Sequence, residues 1–331
     1  MKCISRRYTV VFICLLTVMV CLLSGCGNLA YDMAYSADSD ISSFNVISGQ
    51  DTGAATPFST RLCVVTDDVT EGTDADLSTA TAALLFSLND NDVIYAKNVH
   101  ATLNPASLTK VMTALVVLKY GSLDQKLTAT SAVNITESGA VLCGLKAGDT
   151  MTMDQALRIL LIYSANDAAM MIAESVGGTV DHFVEMMNEE AARLGATNTH
   201  FANPHGLTDP NHYTTAYDLY LIFNEAIKYE TFNEIIHMTS YQTVYYDKNG
   251  KEKEFDKSTT NQFLKVGSDY SAPASVTVIG GKTGTTKAAG HCLILLVRDV
   301  NGAPYIAVTM GVPSTQELYV AMADLLEEIQ K

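Results

Sequence analysis

The sequence predicts an α/β fold of the α+β kind, an antiparallel β-sheet flanked by helices with a helical lobe inserted. Three observations predict it. Strand-like apolar runs sit towards both ends of the chain, three-and-four helical spacing fills the middle, and an amphipathic helix closes the sequence. A cleft is expected where sheet and lobe meet.

The chain has 331 residues, 48% of them hydrophobic, enough for one large domain or a domain with a lobe. No self-similar period marks a repeat architecture. The formal charge of −15 argues against nucleic acid as a partner, since phosphates are bound by Lys and Arg. Lys2, Arg6 and Arg7 followed by the apolar run Tyr8–Leu23 read as an export signal, too short for a membrane span. Leu23-Ser24-Gly25-Cys26 resembles a bacterial lipobox, which makes residues 1–25 a lipoprotein signal peptide and Cys26 the lipid attachment point. An ordinary signal peptide or a short membrane anchor is the alternative. Either way the remainder is expected outside the cytoplasm, and with Cys26 lipidated it is expected to be anchored at the bacterial cell membrane, facing the cell wall. Residues 26–60, rich in Ser, Asp, Ala, Gly and Thr, are expected to be a flexible tether. Of seven cysteines only Cys63, Cys143 and Cys292 lie beyond it, an odd number without C-x-x-C spacing, so all three are expected as buried free thiols.

Residues 61–331 make the folded domain, in which Arg61–Val65 is expected as a first strand. Ala82–Leu88 and Val93–Ala96 flank the turn-forming Asn89–Asp92 and predict a β-hairpin. Asn104 and Pro105 suit the start of a helix that runs through the apolar stretch to Leu118. Met153–Tyr163, Asp167–Val176, Val180–Leu194 and Thr215–Tyr229 carry helical spacing, which places the lobe at about residues 105–235. A second hairpin, Tyr241–Tyr246 with Glu252–Phe255, turns at Asp247–Gly250. His291–Arg298 and Tyr305–Val312 are strands about Asn301-Gly302, and Thr315–Gln330 is a core-facing helix with Leu318, Ala321, Leu325 and Ile329 as its stripe.

Three stretches carry chemistry. Ser107 and Lys110 are spaced i, i+3 near a helix start, so hydroxyl and amine share one face. A lysine can take a serine proton only if burial or a nearby cation lowers its pKa. The helix amino terminus also offers backbone N–H groups where an oxyanion forms. Ser164 and Asn166 sit between two apolar helical segments, where burial demands partners. They either serve the chemistry or cap the next helix. Lys282-Thr283-Gly284-Thr285 lies in a glycine-rich strand, where a substrate backbone can approach while a cation and hydroxyl meet a carboxylate.

In this order the three stretches resemble the S-x-x-K, S-x-N and K-T-G signature of the penicillin-binding and serine β-lactamase superfamily. The chain is most similar to its serine D-alanyl-D-alanine carboxypeptidases. Tyr95–Asn98, Pro105–Leu115, Ser164–Ala169, Asn203–Leu207, Tyr213–Leu219 and Lys282–Thr286 with Ala289-Gly290 share that family's wording, from about Arg61 to the end. The resemblance implies a serine β-lactamase/D,D-peptidase-like fold and a D,D-carboxypeptidase that shortens peptidoglycan stem peptides ending in D-Ala-D-Ala. It implies that Ser107 attacks, Lys110 takes its proton, and the Ser107 and Thr285 N–H groups hold the oxyanion. Ser164 relays a proton to the leaving amine, Lys110 and Lys282 lower each other's pKa, and Asn166 holds a substrate amide. Lys282 and Thr283 receive the terminal carboxylate, and Gly284 leaves the strand edge open to the peptide. β-Lactams acylate the same serine. No metal or other cofactor is implied, and His200, His205 and His212 lack the H-E-x-x-H helix of a zinc peptidase, so His205 is expected to order its own loop. Many relatives continue into a β-rich domain and a membrane helix, and no such C-terminal β-domain is expected here.

The alternatives within the superfamily are a β-lactamase, for which no E-x-x-L-N stretch lies between Asn166 and Lys282, and a D,D-endopeptidase or transpeptidase. A non-catalytic, lipid-anchored wall-binding or penicillin-sensing protein is the alternative of a different class, disfavoured because a pure binder has no need of both lysines.

Overall fold

The computed structural model describes residues 62–330. The expected signal peptide, Cys26 and the tether lie outside the described residues.

Ala82–Ser87 forms β1 and Asp92–Lys97 forms β2, the predicted hairpin, with Asn91 in the left-handed region at the turn. The strands Val276–Thr286 (β7), Gly290–Asp299 (β8) and Pro304–Val312 (β9) join them in an antiparallel sheet ordered β2-β1-β9-β8-β7. Both faces of this sheet are covered, so its central strands are continuous apolar runs. Leu84, Phe86, Ile294 and Leu296 face the large helical core. Leu85, Leu293 and Leu295 face a smaller core built by the closing helix Thr315–Glu327. Leu318, Ala321 and Leu325 of that helix are buried there and Ile329 packs against it, as the stripe predicts.

The predicted helical block follows β2. Its central helix is α1, Thr109–Tyr120, buried through nine consecutive positions from Thr109 to Val117. A helix covered on all sides needs apolar residues all round, which fits its sequence. Around it stand Met153–Arg158 (α2), Asn166–Gly177 (α3), Val180–Arg193 (α4), Ala216–Ala226 (α5) and Glu230–His237 (α6). The closing helix is α7. Capping is legible at α2, where Thr152 and Gln155 form a reciprocal capping box, and at α4 and α5, where Thr179 and Thr215 accept backbone N–H bonds. The sequence reading misses α6, whose eight residues follow Tyr229 without a side-chain cap, although Phe232, Ile235 and Ile236 are buried at three-and-four spacing.

Three expectations about secondary structure are corrected, and one about burial. One sheet was expected, and a second antiparallel sheet is present, ordered β3-β4-β5-β6, from Lys126–Thr128, Thr150–Thr152, Ser240–Tyr246 and Glu252–Ser258. Its first two strands have three residues each, too few to show a period. The expected strand 61–65 is not a strand over its described residues. Side chains satisfy it instead: the Cys63 N–H donates to the Tyr220 hydroxyl (2.9 Å) and the Val65 carbonyl lies 2.9 Å from the His100 ring. A single bridge pairs Val69 with Ala96. Finally, the helix expected over Met153–Tyr163 is α-helical only to Arg158, and Ile159–Tyr163 widens into a π-helix. Cys63 and Cys292 are buried free thiols, while Cys143 is only half-buried.

Candidate active site

The turn before α1 is strained. Ala106 is left-handed (φ 47°), a conformation that costs a residue with a Cβ about 1 kcal/mol or more. Three contacts impose it. Asn104 Oδ1 accepts the Ala106 N–H (3.0 Å), Thr109 Oγ1 donates to the Ala106 carbonyl (2.8 Å), and Gly206 lies against that carbonyl so closely that a Cβ on it would stand 1.9 Å away. Asn104 therefore holds the turn ahead of the helix and does not cap it as expected: the cap positions are Pro105 for the 3-10 turn and Leu108 for α1, neither with a side-chain bond. The short 3-10 turn Ala106–Leu108 then delivers Ser107 to the cleft and Lys110 into the interior.

The Lys110 amine is fully buried, 2.8 Å from Ser107 Oγ, 2.7 Å from Asn166 Oδ1 and 2.6 Å from the His205 carbonyl oxygen. A neutral amine has two N–H donors and one lone pair. Asn166 Oδ1 and the His205 carbonyl can only accept, so they take the two donors. The lone pair then faces the Ser107 hydroxyl, the geometry of a general base with its nucleophile. Electrostatics favours that state: burial first, and the Lys282 charge second, push the Lys110 amine well below the usual lysine range, against an opposing pull from Asp167.

The π-helix ends at Ser164, which is left-handed (φ 69°), and α3 starts at Asn166. Neither side chain caps α3, whose cap position is Ala165 without a side-chain bond. That excludes the helix-cap reading of the two residues. Ser164 Oγ accepts the Lys282 amine at 2.9 Å and Asn166 serves Lys110. π-turns concentrate at functional sites, and this one presents a serine to a lysine. The next residue, Asp167, is buried, and its carboxylate accepts the N–H groups of Cys143, Gly144 and Leu145 within 3.0 Å. The Asn166 N–H donates to the Val141 carbonyl (2.8 Å), so this loop is latched to the site, and Val141 forms part of the cleft wall.

β7 forms the edge of the large sheet. Lys282 is buried and donates to Ser164 Oγ and the Thr283 carbonyl, both at 2.9 Å; burial lowers its amine to about 7. Thr283 Oγ1 donates to Thr260 Oγ1 (2.6 Å). Gly284 lies against the Ser107 turn: a Cβ there would meet the Ser107 nitrogen and the Pro105 carbonyl at 3.0 Å, so a larger residue would push strand and turn apart.

A cleft of about 220 Å³ opens over these groups, with Ser107, Ser164, Thr283 and Thr285 in its lining. Lys110, Asn166 and Lys282 lie behind that lining. Of the predicted site residues, all but Cys26 are described and gather at this one place. The sequence reading missed the His205 carbonyl, Asp167, Thr260 and His291. A backbone carbonyl, or a side chain that meets the site only through space, has no spacing signature, although Asp167 stands beside a motif residue.

Two buried histidines support the turn. His212 Nδ1 accepts the Ala202 N–H (3.1 Å), so its proton is on Nε2, 2.7 Å from Thr109 Oγ1. His205 Nδ1 accepts the Leu207 N–H (3.1 Å), ordering its own loop as expected. Burial first, then the Lys110 charge, pushes His205 down to about 3, and burial takes His212 to about 4.

The sequence pattern of the peptidase S11 family, D-alanyl-D-alanine carboxypeptidase, matches residues 69–314. The chain belongs to this family. It is 33% identical over 255 residues to D-alanyl-D-alanine carboxypeptidase DacF of Bacillus subtilis, covering 75% of this chain and 61% of that one. To DacA of Haemophilus influenzae it is 30% identical, covering 80% of this chain and 65% of that one. The chain thus spans less than two thirds of these relatives. Among solved structures it resembles a D-alanyl-D-alanine carboxypeptidase from Mycobacterium tuberculosis (TM-score 0.68, 28% identity, 80% of this chain and 96% of that one). It also resembles the Streptomyces K15 DD-transpeptidase (TM-score 0.67, 27% identity, 76% of this chain and 96% of that one). These structures share the mixed fold of antiparallel sheets flanked by helices.

Proposed function

We propose that this chain is a serine D,D-carboxypeptidase that removes the terminal D-alanine from peptidoglycan stem peptides through an acyl-enzyme on Ser107. The observation that carries the reading is the buried Lys110 amine, 2.8 Å from Ser107 Oγ with its two other partners both pure acceptors. Lys110 takes the Ser107 proton as Oγ attacks the carbonyl between the two D-alanines. The developing oxyanion meets the backbone N–H groups of Ser107 and Thr285. The proton passes through Ser164, which Lys282 orients, to the departing D-alanine amine, and water then releases the shortened peptide.

Asn166 holds Lys110 and is positioned to meet a substrate amide. The open outer edge of β7 at Gly284 supports pairing with the peptide backbone. β-Lactams, whose ring presents a reactive amide to the same serine, acylate Ser107. Cys26 carries the lipid that anchors the chain at the outer face of the bacterial cell membrane, residues 26–60 give the domain reach, and residues 61–331 are the catalytic domain. Among the described residues no helix is long and apolar enough to cross a membrane.

The likeness to a DD-transpeptidase favours one second reading, transfer of the acyl group to an amine instead of water. The test of both is D-alanine release from an acyl-D-Ala-D-Ala peptide by a soluble form starting after Cys26, beside Ser107→Ala. Release by the unmodified protein alone, without an added amine, supports the hydrolase. Release only when an acceptor amine is present supports the transpeptidase.

A further inference from the structure

Strand alternation in β7 divides its polar residues between the two faces of the sheet. Lys282 stands opposite Ile294, which belongs to the large helical core, and its amine is occupied by Ser164 and the Thr283 carbonyl. Thr283 stands opposite Leu293, which packs on the α7 side, and Thr285 stands opposite His291. Thr283, Thr285 and His291 therefore share the face turned towards α7, away from the lysine.

Among the described residues lining the cleft, His291 has the one basic side chain. Its Nδ1 lies 3.3 Å from both Thr285 Oγ1 and Thr315 Oγ1, and Nε2 makes no hydrogen bond within the described protein. A threonine hydroxyl that donates to Nδ1 fixes the other proton on Nε2, leaving a directed N–H donor, half-exposed at the cleft. The strand face that supplies the Thr283 hydroxyl thus also supplies a directed imidazole N–H donor. Lys282, the group that the sequence pattern suggests for this task, lies behind the lining and gives two hydrogen bonds, to Ser164 Oγ and the Thr283 carbonyl.

We infer that His291, braced by the Thr285 and Thr315 hydroxyls, recognises the free carboxylate of the substrate's C-terminal residue. The assignment rests on the reading that peptides ending in D-Ala-D-Ala are the substrate. His291 is a specificity residue that touches the leaving D-alanine and takes no part in bond-making. A C-terminal amide keeps the shape of the peptide and removes the charge, so it isolates this contact.

The test uses the soluble form starting after Cys26 with Ser107→Ala, so that ligand is bound and not turned over. Calorimetric titration compares N-acetyl-D-Ala-D-Ala with its C-terminal amide, with and without His291→Gln or His291→Arg. One partly exposed charge-assisted bond predicts that His291→Gln weakens binding of the acid by roughly fivefold to tenfold and shifts the amide by about twofold at most. His291→Arg keeps the preference for the acid. The inference is overturned if the protein with His291 does not prefer the acid, if His291→Gln weakens acid and amide alike, or if the preference survives His291→Gln. D-alanine release with Ser107 intact is scored separately. No release together with a His291-dependent acid preference would end the hydrolase reading and leave the role of His291 standing.

Discussion

Replacing Lys110 with methionine separates its chemistry from its volume. The side chain is fully buried, and methionine fills most of the same space without the amine. The loss to the reaction is the general-base contribution, about 10²–10⁴-fold in acylation rate. Stability moves less, because two effects oppose. Asn166 Oδ1 and the His205 carbonyl lose their donor, each costing about 1–3 kcal/mol, while the desolvation penalty of a buried amine is removed. We expect a net destabilisation of about 1–3 kcal/mol, or roughly 2–4 °C in melting temperature per kcal/mol. Stopped-flow acylation with a fluorescent penicillin, beside thermal unfolding, reads both quantities. A folded Lys110→Met protein that acylates within about tenfold of the unmodified rate, a loss smaller than the lower end of the general-base range, would refute Lys110 as the base.

Three further predictions follow from the same geometry. Lys282→Met removes a like charge from Lys110, so the Lys110 pKa rises and the acid limb of the acylation rate moves to higher pH; a limb that stays or moves to lower pH contradicts the coupling. Gly206→Ala places a Cβ 1.9 Å from the Ala106 carbonyl at a φ of +88°, so both unfolding temperature and Ser107 acylation should fall, and unchanged acylation would show that this contact does not hold the turn. His205 and His212 are held neutral in the fold, with pKa values depressed from 6.5 to about 3 and about 4. Their contribution is complete above the unfolded value and is lost as pH falls through 6.5 towards 4, by at most about 1.4 kcal/mol per pH unit each. Thermal unfolding between pH 7 and pH 4.5 should show this decline, flattened in His212→Gln; an equal slope in the variant contradicts it.

The main sheet was legible because β1, β8 and β9 are buried on both faces and so are written as unbroken apolar runs between clear turns. The helices α3 to α5 were legible from their period. What escaped was short or non-local. β3 and β4 have three residues each, and 62–65 gives its backbone groups to Tyr220 and His100, residues far away in sequence. At the site, the residue types and their order were legible in S-x-x-K, S-x-N and K-T-G. The division of labour was not. Only the left-handed Ser164 after the π-turn shows that this serine turns to Lys282 and does not cap α3. Lys282 and Thr283 are adjacent in sequence, yet alternation sends them to opposite faces of the sheet, which a motif cannot express.

Mapping the covalent adduct of benzylpenicillin tests the central claim most directly. The soluble form is incubated with the drug, digested with trypsin and analysed by mass spectrometry. Ser107 lies in the tryptic peptide of residues 98–110. A nucleophile activated by Lys110 predicts one penicilloyl group per chain on Ser107, absent in Ser107→Ala. An adduct on Ser164, or one that persists in Ser107→Ala, would contradict the account.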